Sequence, residues 1–425
     1  MNPHLAATAV PRPPDPAREP AAPATAYVGD SASVQQLLDQ VRAAGGGTAR
    51  LPAGRFRLDR PLEVPPGVCL AGAWEAPHHA MLDSGTVFEV FAGHGDEDGP
   101  PLLLLNPASA VRGITFFYPR RRVPDAVAYP WTIRGRGMHN SVLDCTFANP
   151  WQALDFAAEA NELHHVRNCF GCPLKTGIRV DRCTDIGRIE NVHFNAHYWM
   201  RCGAEGVPAW PQLPEFVFEN LVAFDFARTD WEYVLNTFCY GARIGYRFPM
   251  SADGPCNGNF LGIGADWCAP AVLVEESQPP GLLITNGEFV GGKGAPVMLE
   301  IAPSHTGVVQ LSNCSFWGPC GVAALVDGRG YVSFQQCSFL NQMDPPAHAI
   351  QARGGRISIQ NCRFGIDGPD VLLTDRLASA VILGNHFTGG IEVANRCGAR
   401  LEMGFNTSER PVDPAPTPQA SRLAD

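Results

Sequence analysis

Two carboxylates stand two residues apart at Asp230 and Glu232, with Trp231 between them. If this segment is a β-strand, both carboxylates lie on one face, because successive strand side chains alternate. Such side chains are about 7 Å apart, within the range of carboxyl separations that glycosidic cleavage uses. One carboxyl group would protonate the leaving oxygen and the other would act as base or nucleophile. The spacing predicts an acid/base pair, with a solvated face paired to an arginine as the alternative.

Asp181 is a second acid/base candidate, because it ends a repeated strand and has Arg179 on the same face. Asp327 and Arg353 occupy similar places in later copies of that strand. A polar residue at the strand end is therefore the structural alternative for Asp181.

His193 and Asp266 complete the predicted catalytic set. His193 precedes Phe194 at a position that faces solvent or a groove, where an imidazole can donate a proton or bind substrate. An exposed histidine without function is the alternative. Asp266 precedes Trp267 and follows a glycine-rich turn, which places it at a predicted groove rim.

Arginine and aromatic side chains crowd the same stretch of chain, residues 179–268. Sugar rings stack on aromatic faces, because one face of the ring carries apolar C–H groups. Packing inside loops is the alternative for several of these residues. The predicted substrate-binding residues are Arg179, Arg228, Arg243, Trp199, Trp231, Tyr240 and Trp267.

The elements that position these side chains belong to a repeat. Its most regular copies end in Phe316, Phe339, Phe364 and Phe387, which are 23, 25 and 23 residues apart. A period of about 20–50 residues indicates a solenoid, since each unit needs its neighbours to bury a face. Apolar residues two apart in each copy indicate β-strands. The pattern predicts a parallel β-helix; a β-propeller, the alternative, needs about 40–45 residues per blade.

A bend inside each copy is predicted at an Asn or Gln, because the apolar pairs on either side of it have opposite parity. The amides are predicted to stack as a ladder, and the cysteines that follow them as a buried column. The amide ladder comprises Asn286, Asn313, Gln336 and Asn361. The thiol column comprises Cys314, Cys337, Cys362 and, lower down, Cys145. The single Cys-x-x-Cys at Cys169 and Cys172 has no second pair at zinc-finger spacing, so neither a metal nor a cofactor is predicted.

A helix is predicted near the N-terminus, with Ser33 opening a capping box and an apolar face that starts at Val34. Three motifs follow the helix: GGGT at 45–48, LPAGRFRL at 51–58 and PLEVPPGVCLAG at 61–72. With that helix, they resemble the opening of pectin-lyase-like proteins, in the rhamnogalacturonase A/B/epimerase-like group of the pectate lyase superfamily. The resemblance covers about a tenth of the chain.

This resemblance implies an all-β fold, a single-stranded right-handed parallel β-helix with an N-terminal capping helix, and a carbohydrate-active protein. It does not choose an activity, because fold does not fix function. The chain also departs from polygalacturonase-type hydrolases, which carry Gly-His-Gly and Arg-Ile-Lys on successive coils. Its Gly93-His94-Gly95 lies in an acidic N-terminal loop, and it has neither Arg-Ile-Lys nor the Asp-Pro-His-Asp of alginate epimerases.

Composition limits the partners and the domain boundaries. The formal charge of −10 argues against nucleic acid, and no apolar run reaches the roughly 20 residues that cross a membrane. Residues 1–26 and 407–425 are predicted to be disordered Pro/Ala-rich tails around a β-helix at 27–406. Without a secretory signal, a cytoplasmic location is expected, although secretion stays open.

Three functions are weighed. A glycoside hydrolase acting on a polysaccharide or oligosaccharide with a carboxylate pair is favoured. A lyase acting on a uronate-containing glycan is the second, but Lys175 is the only lysine near the predicted site and no calcium cluster is evident. The third is a non-catalytic β-helix that binds glycans or serves in assembly. The sugar, the linkage, calcium binding and any homo-oligomer stay open.

Overall fold

Each coil of the chain passes through three parallel strands before it returns to its starting side one level higher. The computed structural model describes residues 26–73, 82–292, 294–343, 347–366 and 369–410. In it the first strand of each coil joins a thirteen-stranded sheet, and the second and third join a twenty-seven-stranded sheet. All pairings are parallel, as the repeat predicts, and the chain is a right-handed parallel β-helix.

The strand bounds follow this order. The thirteen-stranded sheet contains Leu62–Val64, Leu103–Leu105, Trp131–Gly135, Gln152–Phe156, Thr176–Val180, Val222–Phe226, Ile244–Phe248, Val272–Val274, Val297–Ile301, Val322–Val326, Ile350–Ala352, Val371–Leu373 and Val393–Asn395. The second strands of the coils are Gly47–Arg50, Val68–Ala71, Ala110–Arg112, Ser141–Leu143, His165–Gly171, Arg188–Phe194, Thr229–Leu235, Cys256–Leu261, Leu282–Thr285, Val308–Ser312, Tyr331–Gln335, Arg356–Gln360, Ser379–Leu383 and Leu401–Gly404. The third strands are Gly29–Asp30, Gly54–Leu58, Thr86–Val90, Ile114–Phe117, Thr146–Phe147, Phe238–Tyr240, Gly264–Asp266, Glu288–Val290, Ser315–Cys320, Ser338–Met343, Arg363–Phe364, His386–Phe387 and Thr407–Ser408. A short separate pair joins Gly137–Met138 to Asn161–Glu162.

The predicted bends are confirmed, and each is made by a residue with left-handed backbone. The φ angles are 56° at Asn286, 53° at Asn313, 54° at Gln336 and 53° at Asn361. This conformation turns the next residue inward and breaks the alternation of the strand. The amide of Asn313 donates to Oδ1 of Asn286 at 2.8 Å, which is one rung of the predicted ladder.

The predicted thiol column is also confirmed. Cys314, Cys337 and Cys362 each follow a bend residue and are buried in successive coils. Cys145 follows the bend residue Asp144 and occupies the same place lower in the helix. All fourteen cysteines are free, and every one except Cys69 is buried. The thiols therefore serve as small apolar core groups.

The N-terminal helix α1, Ser31–Ala43, begins two residues before the predicted start. Its cap is Asp30, not Ser33: the Asp30 carboxylate accepts the Ser33 N–H at 2.9 Å, and Ser33 Oγ accepts the Asp30 N–H at 2.8 Å. Val34 and Leu38 are buried against the strands of the first coil. The helix thus covers the open end of the β-helix, where unpaired strand edges would otherwise face solvent.

One long insertion interrupts the coils at 195–221. It contains α2, His197–Met200, and α3, Gln212–Asn220, and confirms the predicted inserted loop. A 3-10 turn, Gly398–Arg400, precedes the last coil. Among the described residues, no helix has the length and apolarity needed to cross a membrane.

Both ends of the β-helix can be compared with the predicted boundaries. Strand Thr407–Ser408 pairs with His386–Phe387, so the last coil extends past the predicted boundary at residue 406. Of the predicted tails at 1–26 and 407–425, residues 1–25 and 411–425 lie outside the described residues.

Candidate functional site

Five charged residues of alternating sign occupy one register position on five neighbouring strands of the thirteen-stranded sheet. In order they are Arg134, Asp155, Arg179, Asp225 and Arg247. The residues on either side of each are mostly buried apolar residues of the core, so the charged side chains project from the outer face. We call these five residues the charge ladder.

Asp225 lies between two cations without a close hydrogen bond to either. Its Oδ2 is 3.7 Å from Arg179 Nε, and its Oδ1 is 3.8 Å from Arg247 Nη1. By contrast, Arg134 Nε donates to Asp155 Oδ2 at 2.6 Å. The Oδ1 atom of Asp225 is buried and finds no hydrogen-bond partner within the described part of the chain. A buried polar atom in this state is costly and calls for an explanation.

Burial raises the pKa of Asp225 above its ordinary value. The charges of Arg247 and Arg179 lower this pKa in part, whereas those of Glu275 and Asp181 raise it again. The net shift is upward, so this carboxyl group holds its proton to a higher pH than an exposed aspartate. A raised pKa of this origin is what a general acid requires.

Asp181 stands at the edge of the same face, directly after the strand Thr176–Val180. Its Oδ1 accepts the backbone N–H of Arg182 at 2.8 Å, the N–H of Arg228 at 3.0 Å and the hydroxyl of Ser251 at 2.9 Å. Three donors on one oxygen hold the Asp181 side chain in place.

Asp155, Asp181 and Asp225 surround the central arginine of the charge ladder. Asp181 is one strand away from Asp225 and two residues further along, so their Cα atoms are about 8 Å apart. The same offset relates Asp181 to Asp155 on the other side. Paired catalytic carboxyl groups of glycosidases are about 5–9.5 Å apart, and Cα atoms at the Asp181–Asp225 or Asp181–Asp155 separation allow two carboxyl groups to come within that range.

An open groove of about 240 Å³ covers the part of the charge ladder formed by Arg134, Asp155 and Arg179, and Asp225 and Arg247 stand on the next two strands. Trp131 lies at the start of its strand and offers the groove an aromatic side chain. The polar lining residues are Arg134, Asp155, Arg179, Asp181 and Arg182. Cations, carboxylates and an aromatic face thus converge on one concave surface, which makes it the candidate site.

The prediction that Asp230 and Glu232 share a strand face is wrong. The strand Thr229–Leu235 contains a bulge between Thr229 and Glu232, and Trp231 has a left-handed φ of 65°. The bulge breaks the alternation on which the prediction depended. Glu232 points into the core and is fully buried, so it cannot touch a substrate in the groove.

Asp230 remains near the surface, at the corner between the two sheets. It accepts from Arg228 Nη2 at 2.6 Å and from Gln278 Nε2 at 2.7 Å. The predicted alternative, an arginine partner, therefore describes this carboxylate. Since the Arg228 backbone also donates to Asp181, Asp230 lies at the rim of the groove rather than inside it.

A buried polar cluster holds Glu232. His164 Nε2 is 3.0 Å from Glu232 Oε1, Thr229 Oγ1 donates to Glu232 Oε2 at 2.7 Å, and Cys183 Sγ is 3.9 Å from His164 Nδ1. His164, Cys183 and Glu232 each offer a donor atom within 4.8 Å of the others. These are ligand types that Zn²⁺ accepts, although here the histidine and the glutamate contact each other directly.

His193 lies near the end of the strand Arg188–Phe194 and Asp266 at the end of the strand Gly264–Asp266, and neither lines the groove. The His193 ring packs edge-on against Tyr198 and Phe238, with centroids 5.5 and 4.9 Å away. Asp266 has a pKa raised by burial and is close enough to Tyr240 to raise the pKa of that phenol. Their predicted catalytic roles stay predictions.

The predicted aromatic residues divide among three places. Tyr240 and Trp267 stack with ring centroids 6.3 Å apart and line a cavity of about 340 Å³ beside α3, together with Trp210 and Phe218. Trp199 is buried, so the alternative of loop packing describes it. Trp231 is exposed on the twenty-seven-stranded sheet.

Of the predicted arginines, Arg179 alone belongs to the charge ladder. Arg228 binds Asp230 at the rim, and Arg243 is exposed just before the strand Ile244–Phe248. The predicted set therefore contributes Arg179 and Asp181 to the groove.

Sequence reasoning missed the remaining charge-ladder residues and Trp131, although a signal for the ladder was present. Four strands share one pattern, in which a small residue is followed by an apolar residue, a charged residue and a second apolar residue. The four copies are ALDF at 153–156, GIRV at 177–180, AFDF at 223–226 and GYRF at 245–248.

No family model matches the chain, and no curated protein matches it. Three solved structures are similar in fold. The A-module of Azotobacter vinelandii mannuronan C-5 epimerase AlgE6 shares 14% identity over 90% of this chain and 96% of its own, with a TM-score of 0.49. The catalytic domain of a GH87 alpha-1,3-glucanase variant in complex with nigerose shares 14% identity over 95% of this chain and 70% of its own, with a TM-score of 0.42.

The third structure is the DFA-IIIase from Arthrobacter chlorophenolicus A6 without its lid. It shares 12% identity over 90% of this chain and 97% of its own, with a TM-score of 0.43. Similarities of this size carry no argument about activity, so function has to be argued from the groove.

Proposed function

We propose that the groove over the charge ladder is the active site of a glycoside hydrolase. Asp225 is the general acid that protonates the leaving oxygen, and Asp181 is the base or nucleophile. Their surroundings support this division: burial favours the neutral form of Asp225, whereas three hydrogen-bond donors hold Asp181 in one orientation at the groove.

One observation carries the proposal. Asp225 is a buried carboxyl group on an outer sheet face, its Oδ1 lacks a hydrogen-bond partner among the described residues, and its pKa is raised. A purely structural aspartate would be expected to use both oxygens in the arginine ladder, as hydrogen bonding stabilises a buried carboxylate. Because this oxygen is buried, the Arg179 or Arg247 side chain has to move aside before the proton is given to a substrate.

The arginines of the charge ladder and Trp131 bind the substrate in this proposal. Arg179 and Arg247 donate to sugar hydroxyl or carboxylate groups from either side of Asp225. Trp131 stacks on a sugar ring at the lower end of the groove. These interactions orient the glycosidic oxygen toward Asp225, which is the positioning that cleavage requires.

A uronate lyase is the second candidate, and the arginines of the charge ladder favour it. Arg134, Arg179 and Arg247 together can neutralise the carboxylate of a uronate before a base removes its proton. Lys175, the lysine considered at first, is engaged by Glu97 outside the charge ladder. A lyase would therefore use an arginine or Asp181 as its base.

Screening of purified protein against a panel of polysaccharides tests the proposal. A hydrolase releases reducing ends without an unsaturated product, whereas a lyase releases both, which ultraviolet absorbance detects. Asp225→Asn and Asp181→Asn should each lower kcat by about 10²–10⁴-fold. Asp327→Asn is the matched control, because Asp327 follows its strand as Asp181 does but lies outside the groove. Glycan binding without turnover would support the non-catalytic alternative and overturn the proposal.

A further inference from the structure

Trp231 combines a left-handed backbone with an exposed ring, as Trp267 also does. The Trp231 backbone has φ of 65°, and its side chain is 57% exposed. The peptide is held by a hydrogen bond from the Trp231 N–H to Asn257 Oδ1 at 2.6 Å. A bulky residue in this region of φ is a genuine outlier, and such strain tends to mark functional positions.

The bulge at this point does not itself require a tryptophan. It is needed to turn Glu232 into the core, and glycine or asparagine adopts a left-handed backbone at lower cost. The chain uses those residues at neighbouring left-handed positions, with φ of 51° at Asn236 and 64° at Gly262. Because the Trp231 ring is not buried, core packing does not explain it either. The Trp231 ring therefore has to serve through contacts at the protein surface.

The surroundings of Trp231 form a concave, uncharged surface of about 470 Å³ on the twenty-seven-stranded sheet. Tyr233 is the second aromatic residue of its lining, and Asn259 supplies an amide. The Asn257 amide is already bonded to the Trp231 N–H and to Gln278. None of the lining residues described there carries a formal charge at neutral pH. Aromatic faces accept the apolar side of a sugar ring, and amides both donate to and accept from hydroxyl groups. The missing charges argue against an anionic or cationic ligand.

We infer that this surface is a second glycan-binding site, which holds a segment of a neutral polysaccharide on the twenty-seven-stranded sheet. It is separate from the groove, which lies on the thirteen-stranded sheet. The corner that carries Asp230 and its partner Arg228 stands between the two surfaces. Binding here needs no catalysis in the groove, so this inference can hold or fail on its own.

Native electrophoresis in gels containing dextran, laminarin, xylan or alginate tests the site. The protein is expected to be retarded by at least one of the three neutral polysaccharides. Trp231→Ala should weaken that retardation at least fivefold. Trp317→Ala is the matched control, because Trp317 is also exposed, at 45%, but has no left-handed backbone. It should be retarded as the unaltered protein is.

A second variant separates binding from folding. Trp231→Gly removes the ring but suits the left-handed backbone, so its melting temperature should equal or exceed that of the unaltered protein. It should still lose retardation. Three results would overturn the inference: no retardation by any neutral polysaccharide, undiminished retardation of Trp231→Gly, or loss with Trp131→Ala alone, which would assign binding to the groove. A change of oligomeric state in Trp231→Gly would also overturn it, by identifying the surface as a protein interface.

Discussion

His164 Nε2 lies 3.0 Å from Glu232 Oε1, and both side chains are completely buried inside the β-helix. The other ring nitrogen, Nδ1, is 3.1 Å from Asn161 Oδ1. The Asn161 amide nitrogen donates to the carbonyl oxygens of Phe156 and Asp181 at 2.7 and 2.9 Å. These bonds fix the amide orientation, so Nδ1 of His164 must be the donor and Nε2 faces the carboxylate.

This buried pair therefore connects the core to the groove. Phe156 directly follows Asp155, and Asn161 holds the carbonyl groups of both Phe156 and Asp181. Gly187 makes room for the pair, since a Cβ there would lie 2.2 Å from the His164 ring and 2.3 Å from Glu232 Oε2. The glutamate predicted to be catalytic instead supports the backbone that carries two groove carboxylates.

Removing one partner of this pair should destabilise the protein strongly. Glu232→Ala leaves His164 buried without its counter-charge, which costs about 3–5 kcal/mol. Glu232→Gln should cost less, because its amide can donate to Nε2 of a neutral His164 and still accept from Thr229. Urea denaturation checks both. The exposed pair Arg182–Asp253 provides the control, and Asp253→Ala should change stability by less than about 0.5 kcal/mol. Equal midpoints for Glu232→Ala and the control would contradict the prediction.

Stability should fall as the pH rises above neutrality. Burial lowers the pKa of His164, but the charge of Glu232 and the hydrogen bonds that His164 makes with Cys183 and Glu232 outweigh burial and raise the pKa to about 10. A pKa above the unfolded value of about 6.5 contributes stability that is full below pH 6.5 and is lost as the pH approaches 10. Melting temperatures between pH 6.5 and 8.5 should therefore decline. In Glu232→Gln the melting temperature should fall less over this pH range. An unchanged dependence on pH would show that a group other than His164 causes the fall.

Activity in the groove should have an alkaline limb set by Asp225. The acid works while it is protonated, and the charge of Arg247 holds its pKa down. Arg247→Met should raise that pKa and move the limb upward by roughly 1 pH unit. A pH profile of kcat on an identified substrate measures this shift. Arg353→Met, which alters the Asp327 pair instead, should leave the limb in place. A downward shift in Arg247→Met would be inconsistent with Asp225 as the acid.

The bend residues should tolerate glycine better than alanine. At Asn313, φ is 53°, a conformation that alanine adopts only at a cost of about 1–2 kcal/mol. Asn313→Ala should therefore lower the free energy of unfolding by about that amount and also lose the bond to Asn286. Asn313→Gly also loses the bond to Asn286, but glycine adopts the left-handed backbone without the cost that alanine has. The order of urea midpoints should be Asn, Gly, Ala, and a lower midpoint for Gly than for Ala would refute the account.

Most thiols should be inert in the folded protein. Burial raises the pKa of Cys145 to about 12 and raises that of Cys169 as well, so neither forms the reactive thiolate at neutral pH. Among the fourteen cysteines only Cys69 is partly exposed. Titration with a thiol reagent should label about one cysteine quickly, and all fourteen after denaturation. Cys69→Ser should remove the fast phase. Rapid labelling of several thiols in native protein would mean that the cysteine column is accessible.

The sequence by itself determined the β-helix, its bends and the contents of its core. These features are local: the positions of Phe316 and Phe339 set the period, and Asn313 and Gln336 have side chains that suit a bend. A repeat also makes register predictable, because each coil pairs with its neighbour at the same position. The sequence alone does not choose the N-cap of α1, since Asp30 and Ser33 are both acceptable caps.

Only the tertiary structure decided which charged residues form the site. Asp155 and Asp225 are 70 residues apart in the chain, and they stand on one face because the parallel register places them two strands apart. Glu232 left its predicted face because His164, 68 residues earlier, draws its carboxylate into the core. Local alternation assumes a regular strand, and a bulge that a distant ion pair stabilises reverses the direction of every side chain beyond it.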